Sequence, residues 1–276
     1  LKFAYNQIYI LEQKPIDLMQ GKPVIGKVGV YYINLERSQE RNQKMIEQLG
    51  SFAYPVKRVP GVDGKLLSIQ TINQLVDYKT FEIVKGVPAV LGEIGCYLSH
   101  LKCWQEFYES DNEYAVILED DALFDCRELE TSIKELLKRS NDWDICRFDY
   151  TGKPMQPFTV VLDNKYSIGK FSSCSWGTAG YILNKKTAEK YLHFALPIKM
   201  PVDHFFIRCW EFDIKLRGLY PQILKQSNLY MTISGTNGLS HNDNHNLKFH
   251  EQYIKLRHYF YNKCMRYGYK LGYKFY

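Results

Sequence analysis

The chain has 276 residues, 45% of them hydrophobic and 24% charged, with a formal net charge of +6, a balance that excludes a disordered chain and allows one large domain core. Seven cysteines, odd in number and without a C-x-x-C pair, exclude a zinc or redox motif and read as reduced and structural, so a cytoplasmic setting is expected. The apolar runs are too short to span a bilayer, and the opening LKFAYNQIYILEQK lacks the pattern of an export signal.

In chain order, VGVYYIN at 28–34 is a β-branched and aromatic run that predicts a buried strand. Ser38 is the candidate N-cap of a helix reaching Gly50, with Met45, Ile46 and Leu49 inward. A short strand near 54–59 leads into the turn PGVDG, and GEIGCYLSHLKCWQEFYES then predicts a long amphipathic helix. Its apolar stripe is Ile94, Tyr97, Leu98, Leu101, Trp104, Phe107 and Tyr108. YAVILEDDALF, Tyr114 to Phe124, is a strand running straight into Glu119, Asp120 and Asp121. A helix near 127–139, the strand WDICRFDY, strands at 158–161 and 166–171, and SWGTAGYILN follow. The chain continues with a helix from about Lys185 and another across VDHFFIRCWEF. This alternation implies an α/β fold: one Rossmann-type mixed-sheet domain over residues 1–244 and a helical, basic appendage over 245–276.

The acidic triplet is the strongest chemical signal. Like charges this close repel, and any that are buried lose hydration, so the arrangement is costly unless a cation or a set of donors offsets it. It falls at the carboxyl end of a strand, where α/β sheets collect ligands. Strand periodicity puts Glu119 and Asp121 on one face and Asp120 on the other, so at most two of the three can share a cation directly. Few, hard oxygen ligands suit Mg²⁺ or Mn²⁺ that is also held by substrate phosphates. The chain has neither a G-x-x-x-x-G-K-[ST] loop nor a G-x-G-x-x-G turn after its first strand, so a P-loop kinase and a dinucleotide dehydrogenase are both unsupported. A diphosphate would then be handled through metal, as in glycosyltransferases with a D-x-D-type motif. Two other classes remain open: a metal-dependent phosphoesterase, which needs further ligands for a second ion, and a non-catalytic saccharide- or nucleic-acid-binding module.

Six segments in order, YYINLERSQER (31–41), VPGVDGK (59–65), GEIGCYLSH (92–100), VILEDD (116–121), GTAGYIL (177–183) and PVDHFF (201–206), resemble glycosyltransferase family 25, the lipopolysaccharide and lipooligosaccharide hexosyltransferases of Gram-negative bacteria. The resemblance covers roughly residues 28–206 and implies a GT-A-like nucleotide-sugar-binding fold, UDP-galactose or UDP-glucose as donor, and inversion to a β linkage. On that footing Asn34 and Leu35 hold the uridine, and Arg37 or Arg41 approaches it from the next helix or is merely solvated. Asp63 accepts from the uracil or ribose, or is an ordinary turn aspartate. Glu119 and Asp120 lie on the donor side, and Asp121 with Glu119 holds the metal, with His241 of the H-x3-H pair His241/His245 completing the shell.

Inverting transfer also needs a base for the acceptor hydroxyl. Asp203, at the start of a helix, is the first candidate, its alternative role being a helix cap, and Glu93 is the reserve base. Glu93, Cys96 and His100 recur at i, i+3 and i+7 opposite much of the apolar stripe, with His100 in an orienting role. Trp176 either stacks on a pyranose or packs in the core. Residues 248–276 hold five Lys and two Arg against one Glu, with ten Tyr and Phe, so the whole positive excess lies there. Tyr253, Leu256, Phe260 and Cys264 form a stripe bordered by Lys255, Arg257, Lys263 and Arg266. That composition predicts peripheral binding to an anionic membrane surface, at the inner face of the bacterial inner membrane where a lipooligosaccharide acceptor is built, and no nucleic acid as partner.

Overall fold

Residues Val28–Asn34 form β1, buried along its whole length, as a run without a polar face requires. The computed structural model describes residues 27–150, 159–171 and 176–227, together with Leu256, Tyr259, Phe260, Lys263, Cys264 and Tyr267. Side chains of β1 alternate between two cores: Tyr31 and Ile33 enter one, Val28, Val30 and Tyr32 the other. In β3 (Tyr114–Glu119), Ala115 and Ile117 join the first and Val116 and Leu118 the second. Period two thus persists with both faces covered.

After β1 come α1 (Gln39–Leu49), β2 (Val56–Pro60), α2 (Ile69–Leu75), α3 (Tyr78–Lys85), α4 (Leu91–Glu109), β3, β4 (Ala122–Phe124), α5 (Cys126–Lys138) and β5 (Ile145–Arg147). The remaining elements are β6 (Thr159–Val161), β7 (Ser167–Gly169), β8 (Gly180–Asn184), α6 (Lys185–Phe194), α7 (Val202–Phe206), α8 (Cys209–Phe212), β9 (Leu216–Tyr220) and β10 (Leu224–Gln226). Among the described residues one eight-stranded sheet has the order β2-β1-β3-β8-β5-β9-β7-β6, and β10 pairs with β4. Strands β2, β1 and β3 are parallel, while β8 runs antiparallel between β3 and β5. The expected mixed α/β sheet is present. Its consequence is positional: β1, β3 and β5 end at the edge where β8 begins, which gathers Leu35, Glu119 to Asp121, Asp149 and Gly177–Thr178.

Three local expectations change. Ser38 occupies the N-cap position of α1 but makes no side-chain cap bond. The helix expected across VDHFFIRCWEF is two short ones, α7 and α8. Helix α4 buries Ile94, Tyr97, Leu98, Leu101, Trp104 and Phe107 as expected, but also Gly95, Ser99, His100 and Cys103, so it is enclosed rather than amphipathic, and Tyr108 is exposed. The loop after β2 closes over it because small residues meet there. A Cβ on Gly95 would lie 2.5 Å from the Val62 carbonyl oxygen and 2.7 Å from the Gly64 nitrogen. Ser99 stitches the contact, accepting from the Val62 N–H at 2.8 Å and donating to the Gly95 carbonyl at 2.7 Å.

No helix among the described residues is long and apolar enough to cross a membrane. In the C-terminal segment Leu256, Tyr259, Phe260, Lys263, Cys264 and Tyr267 are helical and exposed. The boundary expected at 244/245, His241 and His245 lie outside the described residues.

Candidate active site

At the gathered strand ends lies a cavity of about 470 Å³. Its wall includes Leu35, Arg37, Arg41, Asp63, Glu93, His100, Glu119, Asp120, Asp121 and Asp203, so residues scattered over the sequence motifs share one site. Asn34 does not line it. Its amide is fully buried and committed: Nδ2 donates to Asp120 Oδ2 at 2.6 Å and to the Ser38 carbonyl at 3.0 Å, while Oδ1 accepts from Arg58 at 2.8 and 3.0 Å. The side chain expected at the uridine therefore braces a carboxylate from behind.

The triplet divides differently from the strand-alternation expectation, because β3 ends at Glu119 and the chain turns before β4. Asp120 and Asp121 share the Arg41 guanidinium, which is ion-paired to Asp120 and lies 3.2 Å from Asp121 Oδ2. Gln226 donates to the same Asp121 oxygen at 3.1 Å. Asp121 Oδ1 is buried without a hydrogen-bonding partner among the described residues. Burial, then the Glu119 charge, pushes the Asp121 carboxyl up to about 7 against the opposing pull of Gln226 and Arg41. Burial likewise raises Asp120, opposed by Arg41 and Asn34. Two hard-oxygen carboxylates, one with an idle buried oxygen, are a donor set that fits Mg²⁺ or Mn²⁺.

Glu119 is held apart from this pair by a chain of buried donors. Trp104 Nε1–H can only donate, and does so to Tyr181 Oη at 2.9 Å. The ionised Glu119 carboxylate can only accept, so the 3.1 Å contact of its Oε1 assigns a hydrogen to His100 Nε2, and in that tautomer Nδ1 accepts from the Tyr181 hydroxyl at 2.8 Å. The Thr178 hydroxyl donates to the same Glu119 oxygen. Burial alone would raise the Glu119 carboxyl, but the hydrogen bond and charge of His100, the Thr178 hydrogen bond and the Arg41 charge together outweigh it and hold it below the usual range. Cys96, His100 and Glu119 offer ligand atoms within 4.8 Å of one another. The network speaks against a metal there, since an Nε2 that carries the hydrogen has no lone pair to give. His100 thus holds the Glu119 carboxylate in place from behind. Trp104, four residues along the same helix, was the available signal for this relay; Thr178 and Tyr181 lie in the GTAGYIL segment without a mark of their role, and nothing in the sequence pointed to Gln226.

The two candidate bases differ in what holds them. Both Glu93 oxygens engage Lys85, at 2.5 and 2.6 Å, and one also accepts from the Val90 N–H at 3.2 Å, capping α4. Asp203 accepts from the His204 N–H at 2.9 Å and from the Gly177 N–H at 3.5 Å, both backbone donors. Across the cavity Arg37 pairs with Asp63, whose other oxygen accepts from the Lys65 N–H at 3.1 Å.

The chain matches the family described as Glycosyltransferase family 25 (LPS biosynthesis protein) over residues 28–206. It is 31% identical over 192 residues to Procollagen galactosyltransferase 1-A of Xenopus laevis, covering 64% of this chain and 30% of that protein. To Procollagen galactosyltransferase 1 of Danio rerio it is 28% identical over 221 residues, 74% of this chain and 36% of that protein. A Glycosyltransferase 25 family member of Anopheles gambiae is 27% identical over 186 residues, 64% and 30% respectively. The chain spans about a third of the length of these relatives.

Proposed function

We propose, since the chain belongs to glycosyltransferase family 25, that it transfers a hexosyl group, galactose before glucose, from a UDP-sugar to a saccharide hydroxyl with inversion. The observation that carries this reading is the Asp120/Asp121 pair lining the cavity, with Asp121 buried and one of its oxygens without a hydrogen-bonding partner among the described residues. Galactose is favoured because the relatives' names specify galactosyltransfer.

Asp121 and Asp120 would hold Mn²⁺ or Mg²⁺, which when bound offsets the charge of the diphosphate. Arg37 and Asp63, on the loops after β1 and β2, face the nucleoside end, and Arg41 stands where it neutralises phosphate. Asp203 takes the proton of the acceptor hydroxyl. The hydroxyl oxygen then forms a bond to the anomeric carbon as the bond from that carbon to the diphosphate oxygen breaks, and UDP leaves with the electron pair. Glu93, tied to Lys85, keeps the start of α4 in place. His241 completing the shell remains a proposal from the sequence.

For the acceptor we take a lipooligosaccharide or lipopolysaccharide core saccharide, in keeping with the family's description and with a basic, aromatic C-terminal segment suited to an anionic membrane's cytoplasmic face. The relatives' names support procollagen as the second reading. Incubation with UDP-galactose or UDP-glucose, Mn²⁺, and either a core oligosaccharide or a procollagen peptide tests both. UDP release accelerated by one acceptor, with a product heavier by one hexose, is the expected result. Sugar-independent diphosphate cleavage would instead make the protein a phosphoesterase, and no turnover with any pair would refute the transferase reading.

A further inference from the structure

Trp176 is 38% exposed, yet its mounting is rigid. Its indole stacks on the His204 ring with centroids 4.1 Å apart and planes at 30°. Burial holds the His204 imidazole below its usual range, which favours the uncharged ring in the stack. Behind it the fully buried Arg147 donates to the carbonyls of Trp176 and Gly177, both at 2.7 Å. Gly177 turns the chain at φ +96°, a conformation that favours glycine, and its N–H meets the Asp203 carboxylate. The indole is therefore fixed by its ring neighbour and by its own backbone, one residue before the Gly177 N–H that meets the Asp203 carboxylate at the cavity wall.

Sheet order decides which substrate this face meets. The loops after β1 and β2, carrying Leu35, Arg37 and Asp63, lie to one side of β3, and the start of β8, with Gly177 and Thr178, lies to the other. The nucleotide's recognition groups occupy the first side. An exposed indole one residue from the Gly177–Asp203 contact offers what a pyranose requires: a flat apolar surface for its C–H face and, at the cavity wall, an acceptor for a hydroxyl.

We propose that Trp176, backed by His204, is the stacking platform of the acceptor subsite, for a neutral hexopyranose that lies on the indole with a hydroxyl at Asp203. This rests on the glycosyl-transfer reading for its role in the reaction, but its binding test does not. The experiment is saturation-transfer NMR with methyl β-galactopyranoside and methyl β-glucopyranoside as probes, in the presence of UDP. Ring C–H protons of at least one probe should receive saturation from the native protein. Trp176→Ala should bind that probe about tenfold more weakly, and Trp176→Phe should retain most of the effect, since the apolar face survives. The UDP signal, read in the same tubes, reports that each variant is folded. Equal saturation in Trp176→Ala and the native protein, or none for either probe in the native protein, overturns the platform. Saturation that depends on Trp176 in a protein that transfers no hexose would uphold the saccharide site and refute the transferase reading instead.

Discussion

Tyr181→Phe removes one oxygen from the middle of the relay that holds Glu119. The ring volume is kept, so no cavity forms, and the loss is confined to hydrogen bonds. The buried Trp104 Nε1–H loses its acceptor at 2.9 Å, and His100 Nδ1 loses its donor at 2.8 Å. A buried polar group left unsatisfied costs about 1–3 kcal/mol, so the variant should unfold in urea with roughly 2–3 kcal/mol less stability, the indole supplying most of the loss. The catalytic consequence is separate: with Nδ1 released, the hydrogen is no longer confined to Nε2, and Glu119 loses a fixed donor. Transfer should fall about tenfold, equivalent to about 1.4 kcal/mol. The decisive assay is ¹⁵N NMR of histidine-labelled protein. In the native protein His100 should show a protonated Nε2 and an unprotonated Nδ1, and in Tyr181→Phe that assignment should become mixed. A protonated Nδ1 in the native protein would refute the relay, as would a Tyr181→Phe variant within about 0.5 kcal/mol of native stability.

Gly95→Ala sets helix propensity, a gain of about 1 kcal/mol, against overpacking of about 1–3 kcal/mol, because the new methyl would lie 2.5 Å from Val62 O and 2.7 Å from Gly64 N. Overpacking should win, and UDP should bind more weakly as the Asp63 loop is pushed off α4; a more stable variant with native UDP affinity would show that the contact is slack. Asp149, raised to about 6 chiefly by burial, stabilises the fold when protonated, fully below its unfolded value of about 3.8, and that contribution is lost as pH rises through about 6. Asp149→Asn should therefore match the native protein near pH 4 and exceed it by on the order of 2–3 kcal/mol near pH 8, and a stability difference that does not change with pH would contradict this. Asp203→Asn should keep Mn²⁺-dependent UDP binding while turnover falls by about 10² or more, whereas Asp121→Ala should lose that binding, as titration calorimetry can establish. Removal of residues 247–276 should abolish salt-sensitive flotation with anionic liposomes; undiminished flotation would exclude the C-terminal segment as the membrane contact.

Much of this protein was legible in the chain itself. The unbroken apolar run at Val28–Asn34 and the strand YAVILE followed by three acids mark buried strands ending at the cavity, because strand period and the cost of clustered charge are local properties. Ordered motifs were enough to place the family, and they brought Asp63, His100, Asp121 and Asp203 to one cavity. The partners of those groups were not legible. Alternation paired Glu119 with Asp121, but the strand stops and the chain turns, so Asp120 and Asp121 meet Arg41 while Glu119 turns to His100 and Thr178. Asn34 looked like a ligand contact and became a brace, since its amide was claimed by Asp120 and Arg58, each from a distant part of the sequence. The insertion of β8 antiparallel between β3 and β5 is likewise a long-range choice, and it delivers Thr178 and Tyr181 to the Glu119 and His100 network. Sequence pattern specifies which side chains must be buried or must carry charge; which of them touch is decided when the sheet closes, because hydrogen bonds and ion pairs act over a few ångströms between residues that the chain keeps dozens of positions apart.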